Sequence, residues 1–161
     1  MVLDSGDFRN DYKTVFSKFS IGSGMQKEFS TSLEQLPSML EFIQEEATAV
    51  GFKPEQIGKI ELASEEALVN VIQYAYSDGV GPIEIECERL SPNGLKIIIR
   101  DNGIAFNPLN SKAPDKNMPV EERNLGGYGV YFIRQLMDEV FYQRENDKNV
   151  FVMVKILKNK P

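Results

Sequence analysis

Residues 61–76 read ELASEEALVNVIQYAY, and the architecture of the chain follows from them. Ile60, Ala63, Ala67, Val71 and Ala75 recur at helical spacing and predict one long amphipathic helix. Pro54 fits its first turn, where a missing N–H costs nothing. Ser77-Asp78-Gly79 ends it near Tyr76. Two polar residues interrupt the edge of the apolar stripe. At about 100° per residue, Glu66 and Asn70 lie one turn apart and about 40° from each other around the axis. Glu65 points roughly 140° away from Asn70 by the same geometry and is not its partner. Two readings fit the pair. One is an Asn–Glu hydrogen bond on a helix surface. In the other, the Asn70 amide oxygen holds a hard cation such as magnesium, and the Glu66 carboxylate takes a proton from an attacking hydroxyl.

Upstream, Leu36, Met39, Leu40, Ile43, Ala47 and Val50 mark a second helix, which stops at Gly51. Ser32-x-x-Gln35 fits a capping box at its start. Residues 27–31, KEFST, read as a short strand, and Gly22-Ser23-Gly24 as a flexible break. Residues 1–24 form an irregular extension, with Lys13–Phe19 as a candidate strand. Downstream, Ile83, Ile85 and Cys87 alternate with Glu84, Glu86 and Glu88, a strand with one wet face. Ser91-Pro92-Asn93-Gly94 is a hairpin turn, and the more apolar Leu95–Arg100 is a more central strand. The pattern then disappears from Asp101 to Leu125. A helix over residues 128–138 follows, with Val130, Ile133, Leu136 and Met137 inward. Val140–Gln143 and Val150–Ile156 form a closing hairpin around residues 145–148. The order β, α, α, β, β, loop, α, β, β predicts an α+β fold, a two-layer sandwich of a mixed, largely antiparallel sheet with helices on one face. Residues 25–161 make one domain.

Composition excludes several functions. The net charge of −6 opposes general binding to nucleic acid or an anionic membrane. No apolar run approaches the roughly 20 residues that span a bilayer. A single cysteine, Cys87, cannot make an internal disulfide. No signal peptide is visible, so a cytoplasmic location is expected. The chain has no histidine, which removes Ser-His triads, phosphohistidine relays and histidine-based zinc sites.

Two glycine-marked turns complete the candidate site. Asp101-Asn102-Gly103 follows the central strand. It is either a hairpin turn or an acid that accepts from the exocyclic amine of adenine, with Gly103 letting the backbone approach the ring. Gly126-Gly127-Tyr128-Gly129 stands at a loop-to-helix junction. It is either a plain loop end or a phosphate site made of free N–H groups at a helix start. It follows no strand and lacks the Lys-Ser/Thr of a P-loop.

Together, E-x-x-x-N on a helix, strand-D-x-G, a long loop and G-G-x-G opening a helix resemble the nucleotide boxes of the GHKL (Bergerat-fold) ATPase superfamily. D-N-G-I-A-F-N-P and E-E-R-N-L-G-G-Y-G-V-Y-F-I-R-Q-L are similar to boxes of the bacterial anti-sigma factor serine/threonine kinases, over about residues 26–157. The resemblance implies Glu66 as catalytic base and Asn70 as magnesium ligand. It implies Asp101 and Gly103 at adenine, Gly126, Gly127 and Gly129 at the phosphates, and Arg123 near the γ-phosphate. Residues 107–126 would be a lid over ATP. Tyr74 stands where many relatives have histidine, and Asn149 near where they have Thr or Ser. The implied activity is ATP- and Mg2+-dependent phosphorylation of a serine on an anti-sigma factor antagonist, with a sigma factor as second partner and a homodimer as a common state. Three alternatives are a non-catalytic ATP-binding module that sequesters a partner, a detached sensor-kinase catalytic domain, and an α+β scaffold with coincidental glycines. The presence of Glu66 favours chemistry.

Overall fold

The computed structural model describes residues 20–110 and 126–158. Lys13–Phe19, Arg123 and most of the expected lid lie outside the described residues. Five strands form one antiparallel sheet in the order β1-β2-β3-β5-β4. They are β1 (Ser20–Ser30), β2 (Pro82–Ser91), β3 (Gly94–Asp101), β4 (Glu139–Glu145) and β5 (Lys148–Ile156). The helices are α1 (Leu36–Val50), α2 (Pro54–Tyr74) and α3 (Gly126–Leu136). The main core lies between helices and sheet, where Met39, Ile43, Ile60, Leu68 and Ile133 join Ile83, Ile85, Ile97, Ile99 and Met153. This is the expected two-layer α+β sandwich.

A second apolar cluster occupies the opposite face of the sheet: Leu90, Ile98, Phe141, Val150, Val152 and Val154. It explains why β3 shows no alternation. Every residue from Gly94 to Ile99 is buried: Leu95, Ile97 and Ile99 join the main core, and Ile98 joins the second cluster. At the far end of β3, Arg100 lies 2.7 Å from both Glu84 and Glu86 of β2. Burial alone would lower its pKa, but the two carboxylates outweigh that and raise it. The pairing fixes the strand just before Asp101.

Three local features differ from the sequence reading. Strand β1 begins at Ser20 and runs through Gly22-Ser23-Gly24, which read as a break. A register irregularity between Ile21 and Gly24 absorbs the glycines. A Cβ at Gly22 would lie 3.1 Å from the Arg89 carbonyl oxygen, so a small residue suits this close strand contact. The capping box at Ser32 is also different. Ser32 Oγ accepts from Glu34 N at 3.2 Å and caps a 3-10 turn, Leu33–Gln35. Gln35 Oε1 instead accepts from Ser30 N at 2.9 Å. The reason is Pro37. A helix starting after Ser32 would need the Pro37 N–H to bond to the Leu33 carbonyl, and proline has none. Helix α1 therefore starts at Leu36, with Pro37 inside its first turn. Finally, α3 starts at Gly126, so all three glycines of the Gly126-Gly127-Tyr128-Gly129 stretch belong to its first turns. Gly51 ends α1 with φ 106°, as its position predicts.

Candidate functional site

Helix α2 places a row of side chains at intervals of four residues, Glu66, Asn70 and Tyr74. On a helix this spacing drifts slowly around the axis, so the three form one rim, about 12 Å from end to end at 1.5 Å per residue. The buried face beside the rim carries the small residues Ala63 and Ala67. Asn70 and Tyr74 line a cleft of about 490 Å³, counting the space at its open mouth. Ala67 and Val71 of α2, Ile99 and Phe151 of the sheet and Ile133 of α3 make its walls apolar.

One carboxylate closes the sheet end of the cleft. Asp101 is the last residue of β3 and is buried. Its Oδ1 accepts from Gly103 N and from Asn149 Nδ2, each at 2.9 Å. Among the described residues its Oδ2 has no hydrogen-bond partner. The first of these bonds closes a turn of the Asx type. The turn is held from several sides. Ile104 N donates to the Ala75 carbonyl at 3.0 Å. Arg144 Nη1 donates to the Gly103 carbonyl at 2.9 Å. Asn102 N donates to the Tyr76 hydroxyl at 2.8 Å, and that hydroxyl donates to the Pro82 carbonyl at 2.6 Å. Burial pushes the Tyr76 pKa up; the Asn102 N–H opposes this and the Asp101 charge adds to it. The phenol therefore keeps its proton, and its donor role, at neutral pH.

Gly103 has a different immediate reason than the sequence suggested. A Cβ there would lie 2.2 Å from the Ala75 carbonyl oxygen and 2.7 Å from Ala75 Cβ. The close approach that needs glycine is to the end of α2, which locks the turn against the helix.

At the other end of the rim, Glu66 is half-buried and Glu65 is exposed. A Cβ at Gly129 would lie 2.6 Å from Glu66 Oε2. The carboxylate thus rests against the first turns of α3, where only glycine leaves it room. The leading N–H groups of that helix have no intrahelical acceptor and, with the helix dipole, suit an anion. Arg134, further along α3, donates to the Leu109 carbonyl and ties the turn Pro108–Asn110 to this helix.

Asn70 and Asp101, which are far apart in sequence, thus line one cleft; Gly103 carries the turn behind Asp101, and Glu66, one helical turn before Asn70, meets Gly129. Arg123 lies outside the described residues. Sequence reasoning missed Tyr76, Tyr142 and Arg144 and gave Asn149 no definite role. Their contacts span distant strands, and the one available signal was polarity next to otherwise apolar strand positions. Tyr74 is 51% exposed, and its ring lies 6.3 Å from that of Phe106 at the mouth of the cleft. No helix among the described residues is long and apolar enough to cross a membrane.

The family model for the histidine kinase-like ATPase domain matches residues 29–155. The serine-protein kinase RsbW of Bacillus cereus (strain AH820) is 37% identical over 112 residues, 67% of this chain and 68% of that protein. RsbW of Bacillus mycoides (strain KBAB4) is 36% identical over the same share of each chain. Among solved structures, the histidine kinase domain of the blue-light activated histidine kinase EL346 of Erythrobacter litoralis aligns with TM-score 0.47 and 20% identity, covering 76% of this chain and 61% of that one. The chain belongs to the histidine kinase-like ATPase family and, within it, to the group of serine-protein kinases related to RsbW.

Proposed function

We propose that this chain is a cytoplasmic, ATP-binding anti-sigma regulatory factor with serine/threonine protein kinase activity, carried by residues 25–161. It phosphorylates a serine of an antagonist protein and, in alternation with that partner, holds a sigma factor. The observation that carries the proposal is the cleft itself. A carboxylate acceptor, Asp101, lines it together with Asn70, and one helical turn before Asn70 a second carboxylate, Glu66, meets a glycine helix start.

The residues then take these roles. The apolar walls hold a flat nucleobase, and Asp101 accepts from its exocyclic amine. The close packing at Gly103 holds the Asp101 turn in place. Gly126, Gly127 and Gly129 turn N–H groups to the phosphates, and Arg123 adds positive charge at the γ-phosphate. Asn70 offers one neutral oxygen. That donor set fits magnesium, which takes few protein ligands and completes its shell with waters and phosphate oxygens. Bound magnesium would supply charge neutralisation at the phosphates. Glu66 takes the proton of the attacking serine hydroxyl as its oxygen bonds to the γ-phosphorus and ADP leaves. Positioning and charge neutralisation, rather than covalent catalysis, provide most of the acceleration in such a transfer.

Transfer from γ-labelled ATP onto a small co-purifying protein tests the proposal. The expected result is a labelled serine on that protein with wild type and none with Glu66→Ala, while both bind Mg-ATP alike. Equal labelling by the two proteins would reject Glu66 as the base.

A further inference from the structure

Two donors orient Asp101, the backbone Gly103 N–H and one side chain, that of Asn149. Asn149 of β5 is its register partner across the β3–β5 ladder. Asn149 is 6% exposed. Its Nδ2 donates to Asp101 Oδ1 at 2.9 Å and to the Ile104 carbonyl at 2.8 Å. Its Oδ1 accepts from the Tyr142 hydroxyl at 2.6 Å and from Phe106 N at 3.2 Å. A primary amide has two N–H donors and two acceptor sites, so all four are in use. Exchanging its oxygen and nitrogen would set oxygen against the Asp101 and Ile104 oxygens, and nitrogen against the Phe106 N–H. Chemistry therefore fixes the orientation. Tyr142 remains a donor, because burial raises its pKa against the lowering effect of Arg144.

Two consequences follow. Asn149 has no donor or acceptor left for a bound nucleotide. Asp101 Oδ1 is already filled by Gly103 N and Asn149 Nδ2, so base reading falls to Oδ2.

We propose that Asn149 is a positioning residue that makes Asp101 select a 6-amino purine over a 6-oxo purine. The proposal rests on the ATP reading above. A carboxylate oxygen held in one direction accepts from an exocyclic amine and opposes a carbonyl, lone pair against lone pair. A carboxylate free to turn away loses that discrimination. A site built around a fixed polar group rejects the wrong partner far more strongly than shape alone does.

The test uses the full chain as wild type, Asn149→Leu and Tyr142→Phe, with folding checked by near-UV circular dichroism. Each is titrated with the magnesium complexes of ATP, GTP, purine riboside triphosphate (which lacks the 6-amino group) and tripolyphosphate. Wild type is expected to prefer ATP to both other nucleotides. Asn149→Leu should lose about tenfold in ATP affinity, with purine riboside triphosphate and tripolyphosphate changed less than about twofold. Tyr142→Phe removes one of the four bonds and should erode the preference by about threefold. Equal losses for ATP and purine riboside triphosphate would overturn the proposal, since a merely structural residue weakens both alike. An unchanged ATP preference in either folded variant would also overturn it, and Tyr142→Phe decides alone if Asn149→Leu does not fold. Wild type that binds tripolyphosphate but shows no preference for ATP overturns the ATP reading and this proposal together. A selective wild type with an unaltered ratio in the variants overturns this proposal alone.

Discussion

Gly129→Ala separates the stability of the fold from the chemistry of the site. Gly129 lies in α3 without a positive φ, so alanine is free of backbone strain there. On helix propensity alone the substitution stabilises by up to about 1 kcal/mol. The added Cβ, however, would sit 2.6 Å from Glu66 Oε2, and ordinary contact begins near 3.4 Å, so the carboxylate must retreat by about 0.8 Å. The displaced atom ends a flexible side chain, so the fold accommodates it cheaply. The proposed base, displaced by nearly 1 Å, should act less well, since misplacement on this scale can cost about 100-fold in rate. The expectation is unfolding stability equal to or above wild type, together with phosphoryl transfer slower by about 10- to 100-fold. Urea unfolding and single-turnover transfer from γ-labelled ATP measure the two quantities. Transfer at the wild-type rate would refute the contact between Gly129 and Glu66 as a catalytic constraint. A stability loss above about 2 kcal/mol would refute the claim that only a side chain has to move.

Three further outcomes follow from the same structure. Gly103→Ala should destabilise by about 1–3 kcal/mol, because its Cβ meets the Ala75 backbone, which cannot retreat; urea unfolding at wild-type stability would contradict this. Asp101→Asn should weaken Mg-ATP binding by about 10- to 100-fold, the scale of a hydrogen bond to a charged acceptor, and calorimetric titration showing unchanged affinity would remove Asp101 from base recognition. Burial first, then the charges of Glu46 and Glu86, pushes the Cys87 thiol well above its ordinary range. A raised pKa gives stability that is full below the unfolded value, near 8.5, and is lost as pH rises beyond it. Wild type should lose about 1 kcal/mol between roughly pH 8 and 9.5, and Cys87→Ala should lose less; equal losses would show that the thiol is not the titrating group.

Much of this was legible in the sequence because it depends on local periodicity. The stripe Ile60, Ala63, Ala67 and Ala75 fixes which side of α2 is buried, and the position of Glu66 and Asn70 at its edge follows by rotation. The alternation of Ile83, Ile85 and Cys87 with glutamates shows which face of β2 meets the helices. Where local rules competed with distant ones, the reading fell short. Gly22-Ser23-Gly24 has the composition of a break, yet pairing with β2 keeps it in a strand. Ser32 and Gln35 have the spacing of a capping box, yet Pro37 five residues on makes a helix start there impossible. Asp101 reads as a turn residue or a base acceptor with equal ease. The β3–β5 register, which sets Asn149 opposite it, supplies the second donor beside the local Gly103 N–H, and no sequence window contains that pairing. The hydroxyl bonds of Tyr76 and Tyr142 likewise join segments that no sequence window contains together.

Titration of the wild-type chain with Mg-ATP tests the central claim most directly. A single saturable site per chain, abolished or strongly weakened by Asp101→Asn, is the predicted result. A chain that is folded by circular dichroism and yet binds no nucleotide at millimolar concentration would contradict the account of the cleft.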